Sequence, residues 1–187
     1  MLRDAIVLLD HAVLAALVDA RTPFLNVAMR SLTMLGDVRV VLVILCIVGV
    51  VLWVQKKRVS CAVLFITVLG SEGVVSLLKH IVERPRPAAA LALVAETGSS
   101  FPSAHTMAAV CLYGFCTYLV VTRIKNRHRP VVATLGVLLI LGIAFSRLYL
   151  GVHYLFDVLA SLLMGSAFLT AAIAILKFYG KKKEHHR

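Results

Sequence analysis

Apolar residues run along this chain in long stretches, and polar residues gather between them. Five stretches stand out, near 38–55, 59–79, 104–122, 131–146 and 154–177. Each approaches the roughly 20 residues an α-helix needs to cross the hydrocarbon core of a bilayer. In lipid the backbone must satisfy its own polar groups, which a helix does within one segment. The pattern therefore predicts an all-α fold, a polytopic transmembrane helix bundle with five firm spanning helices. Residues 3–22, RDAIVLLDHAVLAALVDART, are apolar but broken by Asp10 and His11. They predict an amphipathic helix lying in the interface, with a sixth, short span as the alternative. Residues 23–35 open on a proline, favoured at a helix N-terminus, and continue amphipathically to Gly36. Residues 1–187 read as one domain, with 1–35 as an interfacial region and 180–187 as a basic tail without fixed structure.

Composition strengthens the membrane reading. The chain is 60% hydrophobic with mean hydropathy +0.93, whereas soluble domains are about half apolar. The net charge of +11 would suggest nucleic acid on a soluble protein. Here the cations cluster at the ends of apolar runs, and no basic stripe interleaved with aromatics occurs, which excludes nucleic-acid binding and points to lipid headgroups. Sorted by alternation, one side receives QKKR (55–58), RIKNRHR (123–129) and the basic C-terminus. The positive-inside rule makes that side cytoplasmic and the membrane a plasma (inner) membrane. The other, periplasmic or extracellular, side receives the 80–103 loop and the 147–153 turn. Trp53 and Phe178-Tyr179 fit interfacial aromatic belts. Asp4, Asp10 and Asp19 argue against a cleavable signal peptide. Cys46, Cys61, Cys111 and Cys116 form no C-x-x-C pair and read as small buried hydrophobes.

Three polar clusters share the outer side. The first is KHIVERPRP, in which Lys79 closes an apolar stretch and Arg86 sits between two helix-breaking prolines. The second is SSFPSAHT, residues 99–106. Ser103 stands where a helix begins, and His105 lies in its first turn. A helix N-terminus with a hydroxyl and an imidazole suits an oxyanion or a phosphate. The third is SRLYLGVHYLFD, residues 146–157. His153 and Asp157 are four apart and, if helical, can touch. A carboxylate that accepts Nδ1–H leaves Nε2 as a free nucleophile or base. Arg147 precedes them by a short turn containing Gly151. Ionisable groups in membrane segments are costly and usually functional. Together these residues are a kit for a phosphate dianion: cations and donors to hold it, one histidine to attack phosphorus, another to protonate the leaving alkoxide. Glu72, one heptad before Lys79, is expected to pair with a site cation or a neighbouring helix.

In this order, K-x6-R-P, P-S-x-H and S-R-x5-H-x3-D resemble the three-part signature of the type-2 phosphatidic acid phosphatase superfamily. The match spans Lys79 to Asp157. The resemblance implies that His153 is a nucleophile forming a phosphohistidine, that Asp157 orients it, and that His105 is the general acid. It implies that Lys79, Arg86, Ser103 and Arg147 hold the phosphate, and that catalysis uses no cofactor and no metal. Ala104 departs from the glycine many members carry between Ser and His.

The implied function is a metal-independent lipid phosphate phosphatase working at the outer membrane face. Candidate substrates are undecaprenyl diphosphate, phosphatidylglycerol phosphate, phosphatidic acid and lipid A phosphate, and Arg84 beside Arg86 would suit a diphosphate. The alternatives are a lipid-to-lipid phosphotransferase, a non-enzymatic transporter and, more distantly, a haloperoxidase. The partners expected are the lipid phosphate substrate and the bilayer, with no obligatory protein partner.

Overall fold

A computed structural model describes residues 2–184. Its helices are α1 (Leu2–Asp19), α2 (Pro23–Thr33), α3 (Val38–Val54), α4 (Arg58–Val82), α5 (Ala104–Val121), α6 (Arg129–Tyr149) and α7 (Leu155–Glu184). No strand occurs among the described residues. Their ends follow local chemistry. Thr22 accepts the Leu25 N–H at 3.3 Å ahead of Pro23, and Asp37 accepts the Arg39 N–H at 2.8 Å, so both act as N-caps. α4 stops at Glu83 in the left-handed conformation, and Pro85 and Pro87 prevent its continuation.

Among the described residues four helical segments are long and apolar enough to cross a membrane: 58–82, 104–121, 126–149 and 155–180. The fifth expected span, α3, reaches that length only together with α2, from which it is bent by 49°. α2, within the region expected at the interface, packs against α6. The reason is the bend at Gly36. A Cβ there would stand 2.9 Å from Ile143 Cγ2 and 3.1 Å from His105 Cβ, so only glycine lets the backbone approach this closely. The Leu35 carbonyl freed by the bend accepts the Tyr113 hydroxyl at 2.6 Å.

α5 is the central helix, packed by α4, α6 and α7. Its Met107, Cys111, Leu112 and Phe115 are fully buried, while Ile66, Val137 and Leu163 on the surrounding helices face outward. α1 lies against α6 and α7, where Leu17 packs on Leu148 and Val158. α7 continues to Glu184, so part of the tail expected to lack structure is helical; residues 185–187 of it lie outside the described residues.

Candidate functional site

The three motif clusters meet at one end of the bundle, where α5 and α7 begin, α4 and α6 end, and the loops 83–103 and 150–154 close over them. Ser103 caps α5. It is fully buried, and its hydroxyl accepts the Thr106 hydroxyl at 3.0 Å and the Thr106 N–H at 3.4 Å. Its own N–H donates to Ser161 Oγ at 2.8 Å, and Ser161 donates to the Asp157 carbonyl at 2.7 Å. These bonds lock the start of α5 to the start of α7, and His105 in the first turn of α5 lines a cavity with Glu96 and Arg147.

Arg147 belongs to the last turn of α6 rather than to the turn after it, and it is 1% exposed. Its guanidinium donates to Thr33 Oγ1 at 2.7 Å and to Glu96, while its Nε–H is buried without a partner. Burying this side chain takes those acceptors, since an uncompensated charge in a low-dielectric site is costly. Arg86 donates to three carbonyls, Gly98, Val152 and Thr97, at 3.1, 2.9 and 3.1 Å. These bonds fold the 83–103 loop around it and hold its Nη1 3.4 Å from His153 Nε2. Lys79 donates from Nζ to the Ser99 carbonyl at 2.9 Å.

His153 precedes α7 instead of lying within it, so the helical i,i+4 geometry expected with Asp157 is not formed. Nδ1 faces Asp157 Oδ2 at 3.7 Å, within ion-pair range but longer than a hydrogen bond. The carboxylate is already engaged: Oδ2 accepts the Tyr154 N–H at 2.9 Å, and Oδ1 accepts Arg84 Nη1 at 2.5 Å. Asp157 behind Nδ1 and the Arg86 donor at Nε2 together favour the tautomer with the proton on Nδ1, leaving the Nε2 lone pair toward the cations. Burial pushes the imidazole down to about 4, Arg147 and Arg86 add to the effect, and Asp157 opposes it. His153 is therefore neutral at pH 7.

Three charged residues belong to this site that the motifs did not mark. Glu96 pairs with Arg147 and lies 3.6 Å from Arg86. Burial works to raise its carboxyl, but Arg147, then His105 and Arg86, outweigh that and hold it below the usual carboxylate range. Arg84 bridges Asp157 and, at 2.5 Å, Asp10 of α1, and its guanidinium stacks 4.6 Å from the Tyr154 ring centroid. Asp10 also accepts the Phe156 N–H at 3.0 Å. Glu72 forms no hydrogen bond and no close ion pair among the described residues, its Oε1 being buried without a partner, and its expected pairing with a site cation is reduced to a longer-range attraction to Lys79. Seven residues, about 10 Å of helix, separate it from Lys79, whose ammonium gives its hydrogen bond to Ser99.

Residues 60–181 match the PAP2 superfamily. The chain is 33% identical over 159 residues to phosphatidylglycerophosphatase B of Bacillus subtilis, covering 83% of this chain and 77% of that one. It is 33% identical over 164 residues to decaprenylphosphoryl-5-phosphoribose phosphatase of Mycobacterium tuberculosis, covering 83% and 81%. Its structure superimposes on a transmembrane PAP2-type phosphatidylglycerolphosphate phosphatase from Bacillus subtilis with a TM-score of 0.84 and 30% identity, over 95% of this chain and 87% of the other. Aquifex aeolicus LpxE shares the fold, with a TM-score of 0.73 at 23% identity over 89% and 95% of the two chains. With the signature residues gathered at one end of a membrane-spanning helical bundle, the chain belongs to the PAP2 superfamily and is one of its membrane phosphatases.

Proposed function

We propose that the chain hydrolyses a lipid phosphomonoester through a phosphohistidine on His153, with the site at the outer face of the membrane. The observation that carries this reading is the neutral, buried His153, whose Nε2 lies toward Arg86 while Asp157 faces its other nitrogen. The lone pair on Nε2 attacks phosphorus, and a P–N bond forms as the P–O bond to the lipid breaks. The leaving oxygen takes the electron pair and a proton from His105, whose imidazolium the incoming phosphate dianion stabilises, giving a lipid alcohol. Water then attacks the phosphohistidine, loses a proton to His105, and releases phosphate as the P–N bond breaks. Arg147, with a free Nε–H, Lys79 and Arg86 neutralise the phosphate oxygens, and the first-turn N–H groups of α5 after Ser103 add donors.

The basic residues Lys56, Lys57, Arg58 and Arg123 line one cleft at the opposite end, so the positive-inside rule supports an outward-facing site. Arg84 is spent on two carboxylates, which removes the reason for preferring a diphosphate. The relatives named for phosphatidylglycerophosphate and decaprenylphosphoryl-5-phosphoribose support a monoester on a lipid-linked headgroup.

The test is phosphate release from phosphatidylglycerophosphate, phosphatidic acid and undecaprenyl diphosphate in detergent with EDTA, for wild type and His153→Ala. Release from wild type that is lost in the variant, fastest on phosphatidylglycerophosphate, is the expected result. Full activity in His153→Ala, or no release from any lipid, overturns the reading.

A further inference from the structure

The proposed chemistry fixes a direction. His105 gives its proton to the leaving oxygen, so the part of the substrate beyond the broken bond lies on the His105 side. Two cavities meet there. One, of about 390 Å³, runs from His105 to Arg147 and is the phosphate side. The other, of about 370 Å³, runs from His105 down between α3, α4 and α5, walled by Val41, Val68, Leu69 and Ala108. On the α4 wall of this second cavity stands Glu72, with Oε1 buried and accepting no hydrogen bond.

A carboxylate oxygen in that position is costly without a donor. Asp37, which lines the same cavity from the start of α3, has its donor in the Arg39 N–H. No protein donor reaches Glu72 Oε1, which leaves it available to a donor on the ligand. We infer that this cavity is the leaving-group subsite, and that Glu72 accepts a hydrogen bond from a hydroxyl of a polyol headgroup. The inference rests on the reading given under Proposed function.

The chemistry sorts the candidate lipids. When the phosphate leaves a glycerol or a ribose, the carbon chain next to the leaving oxygen carries hydroxyls, which are donors. When it leaves phosphatidic acid, the neighbours are ester oxygens, which only accept and set acceptor against acceptor. When it leaves undecaprenyl diphosphate, the leaving group is itself an anion and meets a carboxylate. Glu72 thus selects a phosphomonoester on a hydroxylated headgroup, by attraction to the right leaving group and repulsion of the other two.

The experiment compares kcat/KM of wild type, Glu72→Gln and Glu72→Leu on phosphatidylglycerophosphate, phosphatidic acid and undecaprenyl diphosphate. In Glu72→Leu the preference for phosphatidylglycerophosphate over phosphatidic acid is expected to fall at least about tenfold, the scale of one lost charged hydrogen bond. Glu72→Gln, which keeps an acceptor oxygen but loses the charge, is expected to retain most of that preference and to gain on undecaprenyl diphosphate. An unchanged preference in Glu72→Leu, or an equal loss on every lipid, overturns the subsite while leaving the phosphatase reading intact. A wild type inactive on all three lipids overturns both.

Discussion

Asp10 and Asp157 hold opposite arms of one guanidinium: Arg84 donates to each at 2.5 Å. Asp10 is 1% exposed and sits on α1, so the N-terminal helix is fastened to the carboxylate behind His153. Asp10→Asn removes one charge-assisted bond and frees Arg84 to move. The expected cost is about 2 kcal/mol of stability, with kcat reduced about tenfold because the position of Asp157 relaxes. Thermal unfolding and phosphate release measure the two effects. A variant with wild-type kcat would show that α1 only packs.

Glu96 competes with substrate. Its carboxylate takes the Arg147 nitrogen and neighbours Arg86, where a phosphate oxygen would bind. Because Glu96 is 25% exposed, an incoming dianion can displace it. Glu96→Gln should therefore bind orthovanadate about tenfold more tightly, as one competing anion is removed. It should also unfold at lower temperature, because Arg147 loses its charged partner. Isothermal titration with vanadate decides the point: weaker binding would make Glu96 a supporting residue.

His153 sets the acid limit of the first step. Its imidazole titrates near 4 in the fold against an ordinary 6.5, so phosphohistidine formation should be half-lost near pH 4, as followed by rapid quench. Arg147 lowers that value, so Arg147→Gln should move the midpoint upward. The stability effect has a definite sign. Between pH 6.5 and 4 the unfolded chain binds a proton that the folded chain does not, so this group makes stability fall as pH falls through that window. The fall amounts to at most roughly 3–4 kcal/mol, and His153→Asn should abolish it. A melting temperature whose pH dependence is the same in both proteins would refute this account.

The four segments from α4 onward were legible because each is a long apolar run with polar punctuation, and a run of that length has few other ways to fold. The seven motif residues were legible because chemistry at fixed spacing survives without knowledge of the fold. Arg147 was read into a turn, since nothing local tells the last helical turn from the loop. Asp10 and Glu96 were not legible as site residues. Each is a single acid whose partners lie far along the chain, and no periodicity records such a pairing. The bend at Gly36 was equally silent, because its cause is the proximity of Ile143 and His105.

Gly151 shows how tightly the loop before His153 is held. Its φ is +73°, and a Cβ there would stand 2.5 Å from the Leu91 carbonyl oxygen and 2.8 Å from Arg21 Nη2. Both neighbours are fixed: Arg21 donates to the Tyr149 carbonyl at 2.9 Å, and the Leu93 N–H donates to the Leu150 carbonyl at 2.9 Å. Gly98 has nearly the same φ, +72°, but open space around it. Gly98→Ala should thus cost only backbone strain, about 1 kcal/mol. Gly151→Ala adds a clash with backbone and should cost about 3 kcal/mol. Because His153 follows two residues later, Gly151→Ala should also lower kcat at least about tenfold through a displaced nucleophile, while Gly98→Ala keeps most of it. Equal losses in the two variants would mean that strain alone governs the loop and that the contact with Leu91 does not position His153.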